Sequence, residues 1–193
     1  MELGINKKQA EELVDRYIED PVTRLHLVES EAIMRALARK FGEDEEKWGI
    51  IGFLHDIDWE MTKNNTAEHC LKAVDILKEV GASDFLIQVI QSHGYGYEGN
   101  ELADEKRETK LEHSLAAAET LTGLIIASAL MQPDKKLESL SVDSLKRKFK
   151  NKKFAQKCNR GIIMECEKAG LSLDEFLEIG LKALQGIHQQ LGL

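Results

Sequence analysis

Apolar and polar positions alternate along this chain with a helical period almost from end to end. The pattern predicts a first helix from about Lys7 to Ile18. Asp20 then stands before Pro21 as an N-capping carboxylate before a first-turn proline, and a second helix runs to Phe41, where Gly42 stops it. Along it Leu25, Val28, Ala32, Leu37 and Phe41 recur at helical spacings. A third helix is predicted over roughly Asp44 to Asp56, and a fourth from Asn65–Thr66 to Gly81, with Leu71, Val74, Leu77 and Val80 three apart. The fifth begins after Ser83 and reads "DFLIQVIQSH". The period fails in "GYGYEGN" and the polar residues after it, which places a loop directly behind His93. A long helix from about Glu108 to Leu130 is ended by "MQPDKK". "ECEKAG" closes a further helix, and Ser172 caps a last one over "SLDEFLEIGLKALQGIHQQL". No strand pattern, internal repeat or low-complexity tract is present. The prediction is an all-α protein, a single domain over residues 1–193 with a C-terminal helical extension over about 138–193.

Charge narrows the classes. The 193 residues carry a net charge of -8, so general nucleic-acid binding is not the default. The balance is uneven, with ten Lys/Arg against six acids in residues 141–193 and 16 minus 28, or -12, in the first 140. Most of the excess lies in "LKRKFKNKKFAQKCNR", from Leu145 to Arg160. Such a run is most simply a solvated helix face, with Phe149 and Phe154 as core anchors; near an active cleft it would instead draw in an anion. Three cysteines without a CxxC indicate neither a disulfide scaffold nor a thiolate zinc site. The first residues have no apolar signal region, and the best apolar run, "LTGLIIASALM", is too short to span a bilayer. These features predict a reduced, cytoplasmic setting and no membrane partner.

The candidate chemistry lies in histidines and acids. "GFLHDIDWE" ends an apolar run with His55, Asp56, Asp58 and Glu60, groups that are costly to bury without partners. At a helix end His55 and Asp56 can both reach one ion beside the axis, and imidazole with carboxylate suits Zn, Fe, Mn and related metals. His26 and His69 each begin an inward-facing row, and His93 closes an apolar helix. Spacing alone leaves both a shared metal cleft and satisfied core polarity open for these three. His188 reads as an ordinary polar residue.

The ordered set His26, His55-Asp56, His69, His93 and a later acid resembles the HD superfamily of metal-dependent phosphohydrolases. "RLHLVESEAIMRALARKFG" is similar to the family's first helix, "KWGIIGFLHDID" to its signature helix, and "AEHCLKAVDIL" and "VIQSHGY" to segments bearing added histidines in two-metal members. "LAAAETLTGLIIASAL" is similar to the helix with the final acid ligand, and "TGLIIASALMQPDKK" to a group of bacterial and archaeal HD hydrolases. The resemblance spans about residues 20–135. It implies one or two divalent transition metal ions (Fe, Mn, Co, Ni or Zn), one held by His26, His55, Asp56 and Glu119. Asp56 would bridge to a second ion held also by His69 and His93. It implies hydrolysis of a nucleotide or small phosphate ester by metal-activated water, with Asp58 as the group that orients water or relays a proton; a solvent-facing acid is the alternative for Asp58.

Two positions depart from the family pattern. The last ligand is normally aspartate, and here it is Glu119, one methylene longer. Where some members have "HDIGK", this chain has Trp59 in place of the lysine, so Arg24, Lys135 and Lys136 are candidates to bind phosphate instead. "GYGYEG" lacks the setting of a phosphate loop; it reads as a mobile mouth beside His93 whose Tyr95 or Tyr97 covers a base. His113, six residues before Glu119, is expected on the exposed side of its helix rather than in the cleft. The partner implied is a small phosphorylated substrate and not long nucleic acid; a homodimer is compatible with the sequence. A catalytically weak metal- or nucleotide-binding HD domain is the alternative to an enzyme, and a purely structural helical protein is the third reading.

Overall fold

The second predicted helix packs closely against the third at Gly49 and Gly52, and that contact organises the molecule. A computed structural model describes residues 2–97 and 99–193, and these are almost entirely helical, with no strand. Helix α1 spans Lys7–Tyr17, α2 Pro21–Phe41 and α3 Glu45–Leu54. Asp20 caps α2 by accepting from Thr23 N, and Gly42 ends it at φ 72°, a left-handed conformation that glycine adopts without strain. A Cβ on Gly52 would lie 2.7 Å from the Ser30 carbonyl oxygen, so a glycine there lets α3 approach the α2 backbone. Trp48 to Leu54 are all buried.

After α3 the chain turns through residues 55–58 into a short α4, Trp59–Thr62, and a single 3₁₀ turn, Thr66–Glu68. The predicted fourth helix therefore does not start at Asn65–Thr66. His69 is extended and Cys70 is left-handed at φ 67°, so α5 covers only Lys72–Glu79. Capped by Ser83, α6 spans Asp84–Ser92, and the loop after His93 lies where the sequence predicts it. A capping box between Thr109 and Glu112 starts α7, Lys110–Leu130, which is buried along most of its length and packs on α2. By length and composition α7 could cross a membrane, but 67% of that window is buried inside the fold, as expected of a core helix.

The extension comprises α8 (Val142–Lys150), α9 (Arg160–Ile163), a 3₁₀ turn (Met164–Glu167), α10 (Leu173–Gln185) and α11 (His188–Leu191). Its apolar faces share one core with α2 and α7: Leu145, Phe176, Leu181 and Leu184 join Leu37 and Leu121. The last predicted helix breaks at Gly186, a poor helix former. Only the first part of the basic run is helical. Residues 151–159 form turns, and the Arg160 guanidinium gathers them by donating to the carbonyls of Phe149, Phe154, Ala155 and Cys158.

Candidate metal centre

The close α2–α3 contact carries His26 on α2 to His55, which caps α3. Their Nε2 atoms are 3.1 Å apart. Each ring is oriented from behind. His55 Nδ1 donates to the Gly52 carbonyl at 2.8 Å. His26 Nδ1 donates to Thr122 Oγ1 at 3.0 Å, and that hydroxyl spends its own proton on the Glu119 carbonyl at 2.7 Å. Both imidazoles are thus set with Nε2 as the inward acceptor. Burial pushes His55 down to about 3 and lowers His26, so both rings are neutral near pH 7.

A second pair lies opposite. His69 and His93 again face each other through Nε2 atoms 3.1 Å apart. His93 Nδ1 donates to the Ile90 carbonyl at 2.6 Å, and His69 Nδ1 donates to Asp58 Oδ1 at 2.9 Å. The break in the predicted fourth helix is what turns His69 inward, and Asn100 Nδ2 holds its carbonyl at 2.7 Å. The Trp59 ring packs edge-on against His69, with centroids 5.1 Å apart. Burial opposes charge on these two rings as well. For His69, Asp56 and Asp58 outweigh it and hold the ring above the usual imidazole value; for His93, Cys70 and Asp56 do the same.

Asp56 joins the pairs. Its Oδ1 is 3.2 Å from His69 Nε2 and 3.2 Å from His93 Nε2. Its Oδ2 is 3.6 Å from His55 Nε2 and 3.7 Å from His26 Nε2. With every Nδ1 committed outward, like nitrogens face each other and repel if both carry lone pairs. Burial keeps His26 and His55 neutral, so no proton relieves their contact. A cation does, and imidazole with carboxylate is a good donor set for a divalent transition ion. Two groups stand ready, His26/His55/Asp56 and His69/Cys70/His93, each with donor atoms within 4.8 Å of one another. The residues therefore fit one or two divalent metal ions.

Other predicted residues fall in different places. Glu119 lines the cleft beside His26 but stands outside both donor groups; Thr120 Oγ1 bonds its carboxylate, and burial pushes it up to about 7. Tyr95 and Tyr97 also line the cleft. Asp58 does not face solvent: it is fully buried, with Oδ2 accepting from Ala73 N at 3.2 Å and Oδ1 accepting from His69. Arg24 is drawn away to the end of α1, donating to the Ile18 carbonyl at 2.7 Å and pairing with Asp15. Lys135 and Lys136 line a separate groove with His188 and Leu193. His113 is buried rather than exposed, and its Nδ1 donates to Glu165 at 2.7 Å. Four residues of the extension, Lys157, Cys158, Asn159 and Ile162, complete the cleft wall. Lys157 belongs to the basic run that drew attention in the sequence, whereas nothing in the pattern singled out Cys70 or Glu165.

A helical bundle that aims two pairs of imidazole nitrogens at one shared carboxylate defines a metal-binding domain of histidine–aspartate type. Residues 23–129, more than half of the chain, match the HD domain family, and the chain belongs to it, within the HD superfamily of metal-dependent phosphohydrolases. No curated protein and no solved structure matches the chain.

Proposed function

We propose that this protein is a metal-dependent phosphohydrolase acting on a nucleotide or other small phosphate ester. The observation that carries the proposal is Asp56, whose two oxygens serve two histidine pairs that are oriented in advance. His26, His55, His69, His93 and Asp56 would hold the metal, which would supply activated water and offset charge on a phosphoryl group. The rest falls to the chain. Thr122, Gly52, Asp58 and Ile90 fix the imidazole orientations, so the ligand geometry is set before substrate arrives. Asp58 acts as a positioning residue, through His69. The cleft beside His26 and Glu119 has a volume of ≈ 480 Å³, enough for a small ligand. Lys157 and Asn159 give its wall a cation and an amide for phosphoryl oxygens, and Tyr95 and Tyr97 give it aromatic faces for a base. A net charge of -8 works against a long polyanion.

Glu119 favours a second reading, a catalytically weak metal- or nucleotide-binding domain. It occupies the family's acid position yet stays outside both donor groups and carries a carboxyl raised to about 7. Turnover separates the two. A panel of nucleotides and phosphomonoesters with Mn, Fe, Co and Ni should yield a substrate, and His55→Ala should lower its hydrolysis by on the order of 10²-fold or more. No turnover on any member, or equal turnover by His55→Ala, removes the enzyme reading.

A further inference from the structure

Arg107 lies on irregular backbone between the tyrosine loop and α7, yet its side chain is nearly buried. One edge of the guanidinium grips Glu165: Nε donates to Oε2 at 2.7 Å and Nη2 to Oε1 at 3.0 Å. The remaining nitrogen, Nη1, faces the carbonyls of Ser92, His93 and Tyr95 at 2.6, 3.3 and 3.1 Å. Ser92 ends α6 and His93 caps it, so Arg107 donates to carbonyls that the helix itself leaves unpaired. His113 Nδ1 donates to the same carboxylate from the other side, at 2.7 Å. Burial opposes charge on Glu165, but Arg107 and His113 outweigh it and hold the carboxyl below its usual value.

The pair joins two walls of the cleft. Tyr95 and Tyr97 stand on one wall; Asn159 and Ile162 stand on the other, and Glu165 follows Ile162 by three residues. The backbone that Arg107 holds also carries a metal ligand. The Ile90 carbonyl orients the His93 ring within α6, and Arg107 fixes where the end of α6 stands relative to the extension. From that place His93 Nε2 comes within 3.1 Å of His69 Nε2 and 3.2 Å of Asp56 Oδ1. A buried ion pair is a poor source of net stability. What this one supplies is direction, because a planar guanidinium fixes the angle of every bond it makes.

We infer that Arg107 and Glu165 are positioning residues of the metal centre. Through the His93 backbone they set the place of that ligand, and through the Tyr95 carbonyl they set one wall of the cleft. The C-terminal extension is then part of the site. The inference rests on the proposed metal centre and gives it a positioning pair whose acid lies beyond the HD match, which ends at residue 129.

Cobalt(II) binding to the full-length protein tests this without relying on turnover. The Trp59 ring lies 5.1 Å from the His69 ring, so its fluorescence should be quenched when cobalt enters the His69/His93 half. Titration calorimetry follows the ions of both halves. Glu165→Gln keeps the shape of the side chain and removes its charge. It should weaken cobalt binding read at Trp59 by on the order of 10-fold, with the His26/His55 ion little changed. Arg107→Lys keeps the charge but has no fork to span a carboxylate and three carbonyls, and should act in the same direction. Circular dichroism identifies the folded variants, and Arg107→Lys decides the matter if Glu165→Gln does not fold. Wild-type affinity at both halves in a folded variant, or equal weakening of both ions, would overturn the positioning role while leaving the centre standing. No cobalt bound by the wild-type protein would overturn both.

Discussion

The two halves of the metal centre are built by different means. His26 and His55 sit on α2 and at the end of α3, on helical backbone, and their outer partners are neutral: the Thr122 hydroxyl and the Gly52 carbonyl. His69 sits on backbone that has left the helix, and its outer partner is the carboxylate of Asp58. The helical half gets its geometry from packing, through Gly52. In the other half His93 is set as His55 is, capping α6 with Nδ1 on the Ile90 carbonyl, while His69 is set by individual bonds, Asp58 to its ring and Asn100 to its carbonyl. A charged outer acceptor makes an imidazole a stronger donor than a neutral one does, so the His69 half should hold its ion more tightly and depend more on single side chains.

The largest expected effect comes from the residue that belongs to both halves. Asp56→Asn keeps the shape but removes the shared charge, and it should lower metal content in both halves and turnover by on the order of 10³-fold. Elemental analysis with kinetics checks this; loss of one ion alone would show that Asp56 serves a single half. Next comes Asp58→Asn, which replaces the charged acceptor behind His69 by a neutral one. Affinity for one ion should fall about 10–100-fold while the other stays bound, as read by titration calorimetry. An equal loss of both ions would erase the distinction between the halves.

The smallest effect concerns the scaffold of the helical half. Glu29 lies buried on α2, one turn beyond His26, and among the described residues it has no hydrogen-bond or ion-pair partner. Burial raises its carboxyl from 4.5 to about 8. Between these values the unfolded chain releases a proton that the folded protein keeps, so stability falls as pH rises from 4.5 to 8. The total is at most a few kcal/mol, and Glu29→Gln should remove it. Melting curves at pH 5 and pH 8 should converge in the variant, with metal stoichiometry unchanged. A wild-type protein equally stable at both pH values would place Glu29 in contact with water.

The same contrast explains what was legible in the sequence. Helix α2 shows its boundaries openly, because Asp20, Pro21 and Gly42 act locally and its apolar stripe is regular. His55 and Asp56 stand out because ionisable groups interrupt an apolar run. The break at Cys70 is hidden, since Leu71, Val74, Leu77 and Val80 keep a helical period up to its edge, and a tertiary bond to Asp58 overrides propensity there. His113 misleads for a related reason: its partner Glu165 lies in the extension, 52 residues away, and no local pattern announces the pairing. Lys157 was visible only as one cation in a run of them. Its neighbour Arg160 turns inward to hold the turns that bring Lys157 to the cleft wall.

Glu165 has one more consequence, in the order of events during synthesis. Arg107 donates to both Glu165 oxygens, at 2.7 Å and 3.0 Å, and also to the carbonyls of Ser92, His93 and Tyr95. The loop that carries His93 and the tyrosines is thus tied to a segment made 58 residues after Arg107. When the ribosome has produced every histidine of the cluster, the counterion that steadies this loop has yet to emerge. Both halves wait on later segments: His26 needs Thr122 on α7, and the loop behind His93 needs Glu165, which follows it. A chain halted before Glu165 therefore holds all four histidines but lacks the counterion of Arg107 behind His93.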